Sequence, residues 1–228
     1  QCFARGSLPG AHRTLQRYQC PGRNLALLRA ADPSSTAVSA EDEGEEEGIV
    51  VPSLRYLGDE RLMRSQPAIP SSAVASAEIQ AKLDMLLRAM SKYGGIGIAA
   101  PQVGWWARAI WFGIDESNTR YPSAPPVPLQ LWINPEITWA SAETNWLWEG
   151  CLSVPGLRGW VERPSAIEVR GLDGEGRPKE ARLEGLAARI AQHEADHLDG
   201  ILFPQRVPDK KFLLPQASFD AREGWAAD

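Results

Sequence analysis

Apolar side chains recur at helical spacing in two stretches of the chain. Over residues 77–90, Ile79, Leu83, Leu86, Leu87 and Met90 share one face and Ser76 stands at the N-cap position, which predicts an amphipathic helix with that face in the core. Leu186, Ile190, His193 and His197 repeat the same period between Gly185, able to open a helix, and Gly200, placed to end it. Between these stretches, strands are predicted over 107–112, 130–134 and 136–139, with a Pro-rich loop over 121–128. Residues 166–172 and 179–183 flank the turn Asp173-Gly174-Glu175-Gly176 and read as a hairpin, while 49–56 reads as a short extended piece. Short strands followed by one late helix argue an α+β fold.

The N-terminal segment follows neither period. Residues 1–31 contain Arg5, Arg13, Arg17, Arg23 and Arg29 and no acid, a composition that resembles organellar transit peptides. A mitochondrial or plastid address is therefore expected, with the bacterial cytoplasm as the alternative. Over 32–48 the composition turns to Ser, Ala and the acidic run from Glu41 to Glu47, which has nothing to bury and reads as a solvated linker. Residues 1–48 are thus expected to be a disordered extension. The chain of 228 residues, 43% hydrophobic and 23% charged, has room for one sizeable domain with a core. No apolar run approaches the length of a membrane span, and at net charge −5 no Lys/Arg cluster forms a nucleic-acid footprint. Small or peptidic partners are the better expectation. Three cysteines do not make a disulfide framework, which favours a reducing compartment.

Chemistry concentrates in Gln192-His193-Glu194-Ala195-Asp196-His197-Leu198-Asp199-Gly200. On a helix His193 and His197 leave the same face one turn apart and can grip one metal ion, and Glu194, about 100° further round, can reach a water on that ion without ligating it. Two histidines at this spacing also occur by coincidence on half-buried helices, so the inventory matters. Beyond Cys20, the only histidines and cysteines are His193, His197 and Cys151, and a soft third ligand in the folded part must be Cys151. Upstream, the glycine-rich run over 94–104 lacks the Lys-Ser/Thr of a phosphate-binding loop. Its one polar side chain able to donate a hydrogen bond, Gln102, is a candidate for gripping a carbonyl oxygen. Eight of the nine tryptophans lie between Trp105 and Trp160, and the sequence does not sort core from cleft among them.

Three stretches together resemble the peptide deformylases: Gly-Ile-Gly-Ile-Ala-Ala-Pro-Gln at 95–102, Glu-Gly-Cys-Leu-Ser at 149–153 and Gln-His-Glu-Ala-Asp-His-Leu-Asp-Gly at 192–200. The likeness covers about 49–208, leaving 209–228 as a C-terminal tail, and Ile98 replaces the Leu usual in the family. It implies antiparallel or mixed β-sheets packed around a central metal-binding helix, and an enzyme that removes the N-formyl group from the initiator methionine of newly made polypeptides, releasing formate.

Two imidazoles and a thiolate leave a tetrahedral ion one open position for water, as a catalytic site requires. Glu194 is then the proton carrier, and the backbone N–H of Leu152 with the Gln102 amide are the oxyanion donors, roles that the resemblance also assigns. It further implies that the backbone of Ile96, Gly97 and Gly150 pairs with the peptide as an added strand. Arg158 would approach a carbonyl farther along, or stand as an ordinary surface arginine. Asp196 would pair with Arg163, buried or solvated. The ion implied is Fe²⁺, with Zn²⁺, Ni²⁺ or Co²⁺ able to occupy the same site, and the partners are N-formylmethionyl nascent peptides and the ribosome exit region. Two other classes stay open: a metalloprotease cutting internal peptide bonds with the same helix, and a non-catalytic binder of nascent chains or ribosomes.

Overall fold

A computed structural model of the chain describes residues 51–115 and 125–221. The extension and linker expected over 1–48, the first two residues of the expected 49–56 piece, and 121–124 of the Pro-rich loop lie outside the described residues. Residues 51–56 join no sheet, although Arg55 N–H donates to Gln102 O (2.7 Å) and Leu57 N–H to Ser153 O (2.8 Å), so this segment straps two site-bearing stretches together.

Helix α1 (Ala77–Lys92) begins at Ser76, whose hydroxyl accepts from Ile79 N–H, the N-cap geometry its sequence calls for. Leu83, Leu86, Ala89 and Met90 are its buried residues, with Ile79 and Leu87 only partly covered. Strands β1 (Gly97–Ala99), β2 (Ala109–Ile114) and β3 (Val127–Ala140) follow. The two strands expected over 130–134 and 136–139 are one, bent at Asn134, whose φ of 51° goes with a register shift between Ile133 and Glu136. Next come β4 (Thr144–Cys151) and β5 (Val154–Pro164), neither of which the residue pattern predicts. The hairpin β6 (Ala166–Leu172) and β7 (Pro178–Glu184) flanks the expected turn. Helix α2 (Gly185–Leu198) carries the histidines and is followed by Gly200 at φ 76°. After α3 (Phe203–Arg206), strand β8 (Leu213–Pro215) and α4 (Gln216–Asp220) close the described chain.

Among the described residues every strand pairing is antiparallel, in a five-stranded sheet ordered β1-β2-β3-β6-β7 and a three-stranded sheet ordered β4-β5-β8. Helix α2 lies between the sheets, touching β1, β2, β3, β6 and β7 of the first and β5 of the second. Its buried positions run almost unbroken from Ala188 to Leu198, polar residues included. A helix buried on all sides whose buried set contains Arg189, Gln192, Glu194, Asp196 and His197 holds polar groups away from water, and most of these groups build or support the site.

Candidate metal centre and active site

The histidines come from one helix and the thiol from the end of β4, and the fold closes them on a common point. Ligand atoms of Cys151, His193 and His197 all lie within 4.8 Å of one another, with Cys151 Sγ 3.2 Å from His197 Nε2. Among the described residues no other group of this kind is found. The two rings stand 5.2 Å apart at 76°, as side chains one helical turn apart do when they converge rather than stack.

His193 is oriented from behind: its Nδ1–H donates to Glu149 Oε2 (2.8 Å), which leaves Nε2 to face the cluster. Burial and the neighbouring His193 push His197 well below the ordinary histidine value, so its imidazole is neutral, the form that ligates. For His193, burial lowers the value, but hydrogen bonding with Cys151 and Glu149 outweighs this and raises it. A neutral imidazole, a second imidazole backed by a carboxylate and a thiol at these separations fit a tetrahedral cation with one coordination position to spare.

Glu194 points from α2 toward β1. A β-carbon on Gly97 would lie 2.8 Å from Glu194 Cδ, so the carboxyl rests against the bare Gly97 backbone. Glu194 Oε2 is buried without a hydrogen-bond partner among the described residues, and burial pushes the carboxyl up to about 7. Gln102 sits in the 3₁₀ turn after β1. Its Oε1 accepts from Ala99 N–H (2.8 Å), and its Nε2 donates to Ser153 Oγ (3.1 Å) with a longer approach to Cys151 Sγ (3.6 Å). Leu152 lies in the turn between β4 and β5, its side chain near Gly95, and the amide after it, Ser153 N–H, donates to Cys151 Sγ (3.4 Å). Ile96 O already accepts from Gly113 N–H (2.9 Å), whereas β1 is an edge strand, so the Gly97 backbone groups alternate toward its open side.

A charge network supports the centre. Glu149 accepts from Arg163 Nε (2.6 Å) and Nη2 (2.9 Å) and from Arg189 Nη1 (2.6 Å), and Arg163 Nη1 donates to Asp196 Oδ2 (2.9 Å). Burial pushes the Glu149 carboxyl up, but the hydrogen bonds from Arg163 and His193 prevail and hold it well below the carboxylate range. Arg206 closes the network, gripping Asp196 through Nη2 (2.6 Å) and Nε (3.2 Å). Glu149 and Ser153 fall within the 149–153 stretch, but residue patterns give neither of them a role and single out neither Arg189 nor Arg206. The one available signal is that Arg189 stands four residues before His193, on the same face of α2.

The profile of the polypeptide deformylases matches residues 51–212, which take in every residue of the cluster and its supports. The chain belongs to the polypeptide deformylase family. Among curated deformylases, peptide deformylase 2 of Pseudomonas putida is 46% identical over 168 residues, 73% of this chain and 94% of that protein. Peptide deformylase 2 of Bordetella bronchiseptica is 44% identical over 67% of this chain and 85% of its own length. The Met-Ala-Ser-bound class I type b peptide deformylase of Acinetobacter baumannii superposes with a TM-score of 0.66 at 38% identity, over 69% of this chain and 99% of that one. Membership in the deformylase family, together with the cluster, makes the chain a metal-dependent hydrolase of N-formyl groups on newly synthesised polypeptides.

The family comparison also corrects the expected address. Similar deformylases come from bacteria of the genera Pseudomonas, Bordetella, Ralstonia and Leptospira, which favours a bacterial cytoplasmic protein over a mitochondrial or plastid one. The arginines that prompted the organellar expectation lie outside the described residues. Acid-poor, Arg-containing composition is too general a property to specify an import signal by itself.

Proposed function

We propose that Cys151, His193 and His197 hold the ion, Glu194 carries the proton, and Gln102 with the Leu152 amide receives the charge that develops on the formyl oxygen. The observation that carries this reading is the meeting of a thiol and two imidazoles beside a buried carboxyl with an unpartnered oxygen. When bound, a divalent cation acidifies water enough for it to act as a nucleophile near neutral pH.

Glu194 takes a proton from that water as a C–O bond forms at the formyl carbon. It then hands the proton to the methionyl nitrogen as the C–N bond breaks, giving formate and a free amine. A carboxyl at about 7 is poised for both transfers. Gln102 is held by Ala99 and Ser153, and its long approach to Cys151 Sγ leaves an N–H able to turn toward the formyl oxygen. The open edge of β1 at Gly97 would take the peptide as an added strand, with the Gly150 backbone pairing from its other side, Ile96 flanking it and Arg158 farther along. The Met-Ala-Ser bound to the Acinetobacter relative supports a peptide ligand of this kind.

Ferrous iron is the ion we infer, from the family resemblance. Zinc, nickel or cobalt would fit the same donors, and affinity alone favours zinc over iron. The substrate is an N-formylmethionyl nascent chain, met near the ribosome exit. A protease would use the same helix, but a thiol donor drawn from a strand far upstream of the helix, with Gln102 beside it, favours the formamide. Formate release from formyl-Met-Ala-Ser, compared with cleavage of an unformylated internal peptide, tests the reading. We expect the first alone to react, and cleavage of the internal peptide would overturn it.

A further inference from the structure

The C-terminal elements β8 and α4 lie beyond the three motif stretches, yet they pack against the hairpin that delivers Cys151. The β4–β5 register shifts between Glu149 and Cys151, and on its other edge β5 pairs with β8: Leu157 with Pro215, Arg158 with Leu214 and Gly159 with Leu213. Arg158 is the middle residue of that pairing. Its Nε donates to Gln216 Oε1 (2.7 Å), and its guanidinium lies 5.6 Å from the centre of the Phe219 ring. The far end of the same guanidinium reaches the site. A β-carbon on Gly150 would lie 2.6 Å from Arg158 Nη1, so the cation rests on the glycine that precedes the Cys151 donor. Phe219 also meets Trp148 edge-on (5.3 Å), bracing the other strand of the hairpin from the same side.

We propose that Gln216, supported by Phe219, is a positioning residue that holds Arg158 over Gly150, so that the C-terminal segment sets how tightly the enzyme grips a peptide beyond its formyl-methionyl residue. An arginine side chain has many rotamers, and one free of Gln216 would spend much of its time in solvent. A neutral acceptor on Nε and an aromatic face fix its direction while leaving Nη1 and Nη2 for a backbone carbonyl of the peptide. The proposal rests on the reading of Arg158 given above, and its test separates the two.

Steady-state formate release would be measured for the full chain with formyl-Met-Ala-Ser and with formyl-methionine, which ends before Arg158. Gln216→Met, which keeps the length of the side chain and removes the acceptor, is expected to raise KM for the tripeptide by about tenfold, the effect of losing one hydrogen bond to a charged group. The kcat, metal content and KM for formyl-methionine should stay as they are. Gln216→Glu, which restores an acceptor, should recover the tripeptide KM. Arg158→Met should show the same selective rise, and the double variant no further one.

A selective rise in Arg158→Met with none in Gln216→Met would overturn the positioning role and leave the reading of Arg158 standing. Equal rises on both substrates would show a merely structural residue and overturn it too. No selective effect in Arg158→Met would remove both, and no formate from the unaltered chain would remove the proposed function beneath them.

Discussion

Glu149 Oε2 lies 2.8 Å from His193 Nδ1, so a strand carboxylate fixes the ring of a helix histidine that it could meet only through the tertiary fold. Arg163 and Arg189 each hold that carboxylate at 2.6 Å. Replacing Glu149 with Gln weakens these contacts and frees the imidazole to rotate. Metal affinity should fall by about 10- to 100-fold, the range found for partners of ligating histidines. Competition with a chelator checks this, and unchanged affinity would mean that the hydrogen bond does not orient the ligand.

The same carboxylate makes the fold acid-sensitive. Its value in the folded chain is depressed below the ordinary 4.5, so the stability it contributes is fully present above that value and is lost as pH falls through the range below it. Urea unfolding midpoints should drop on acidification below 4.5, and the drop should be smaller in Glu149→Gln, which has no proton to gain. Equal slopes in the two proteins would contradict the assignment.

Gly97 is bare because Glu194 fills the space a side chain would need. A β-carbon there would lie 2.8 Å from Glu194 Cδ and 2.9 Å from Ile190 Cγ2. Gly97→Ala should destabilise the fold by about 1–3 kcal/mol, as overpacking does, and should lower kcat by displacing the carboxyl. Unfolding curves and turnover together check it, and a variant with full kcat would show that Glu194 does not depend on its place against β1.

Gln102 and Glu194 should fail in different ways. Gln102→Ala removes one donor to the developing oxyanion and should reduce kcat by about 10²- to 10³-fold with the metal retained. Glu194→Gln keeps the shape of the side chain but cannot take a proton, and should lose about 10²- to 10⁴-fold. Metal analysis beside steady-state rates distinguishes both from ligand loss.

The sequence exposed what periodicity can carry. Helices α1 and α2 and the β6–β7 hairpin follow from apolar spacing and turn residues, and the scarcity of His and Cys pointed to Cys151. The strand that presents Cys151 was not legible. Pro155, Gly156 and Gly159 interrupt its partner, and the register shift after Glu149 breaks the alternation a pattern search needs. Nothing in the residue pattern gives Arg189 and Arg206 a role until Glu149 and Asp196 are placed opposite them. The tryptophans were unsortable for a related reason: Trp132 is fully buried and Trp146 is 37% exposed, and only the packing of the sheets decides which face is covered.

The central claim is that a sulfur and two imidazole nitrogens share one cation. Metal content of anaerobically purified protein, compared with Cys151→Ala, His193→Ala and His197→Ala, tests it most directly. The account predicts about one ion per chain in the unaltered protein, as a single three-donor site holds, and little in each of the three variants. Full metal occupancy after removal of the Cys151 thiol would contradict it.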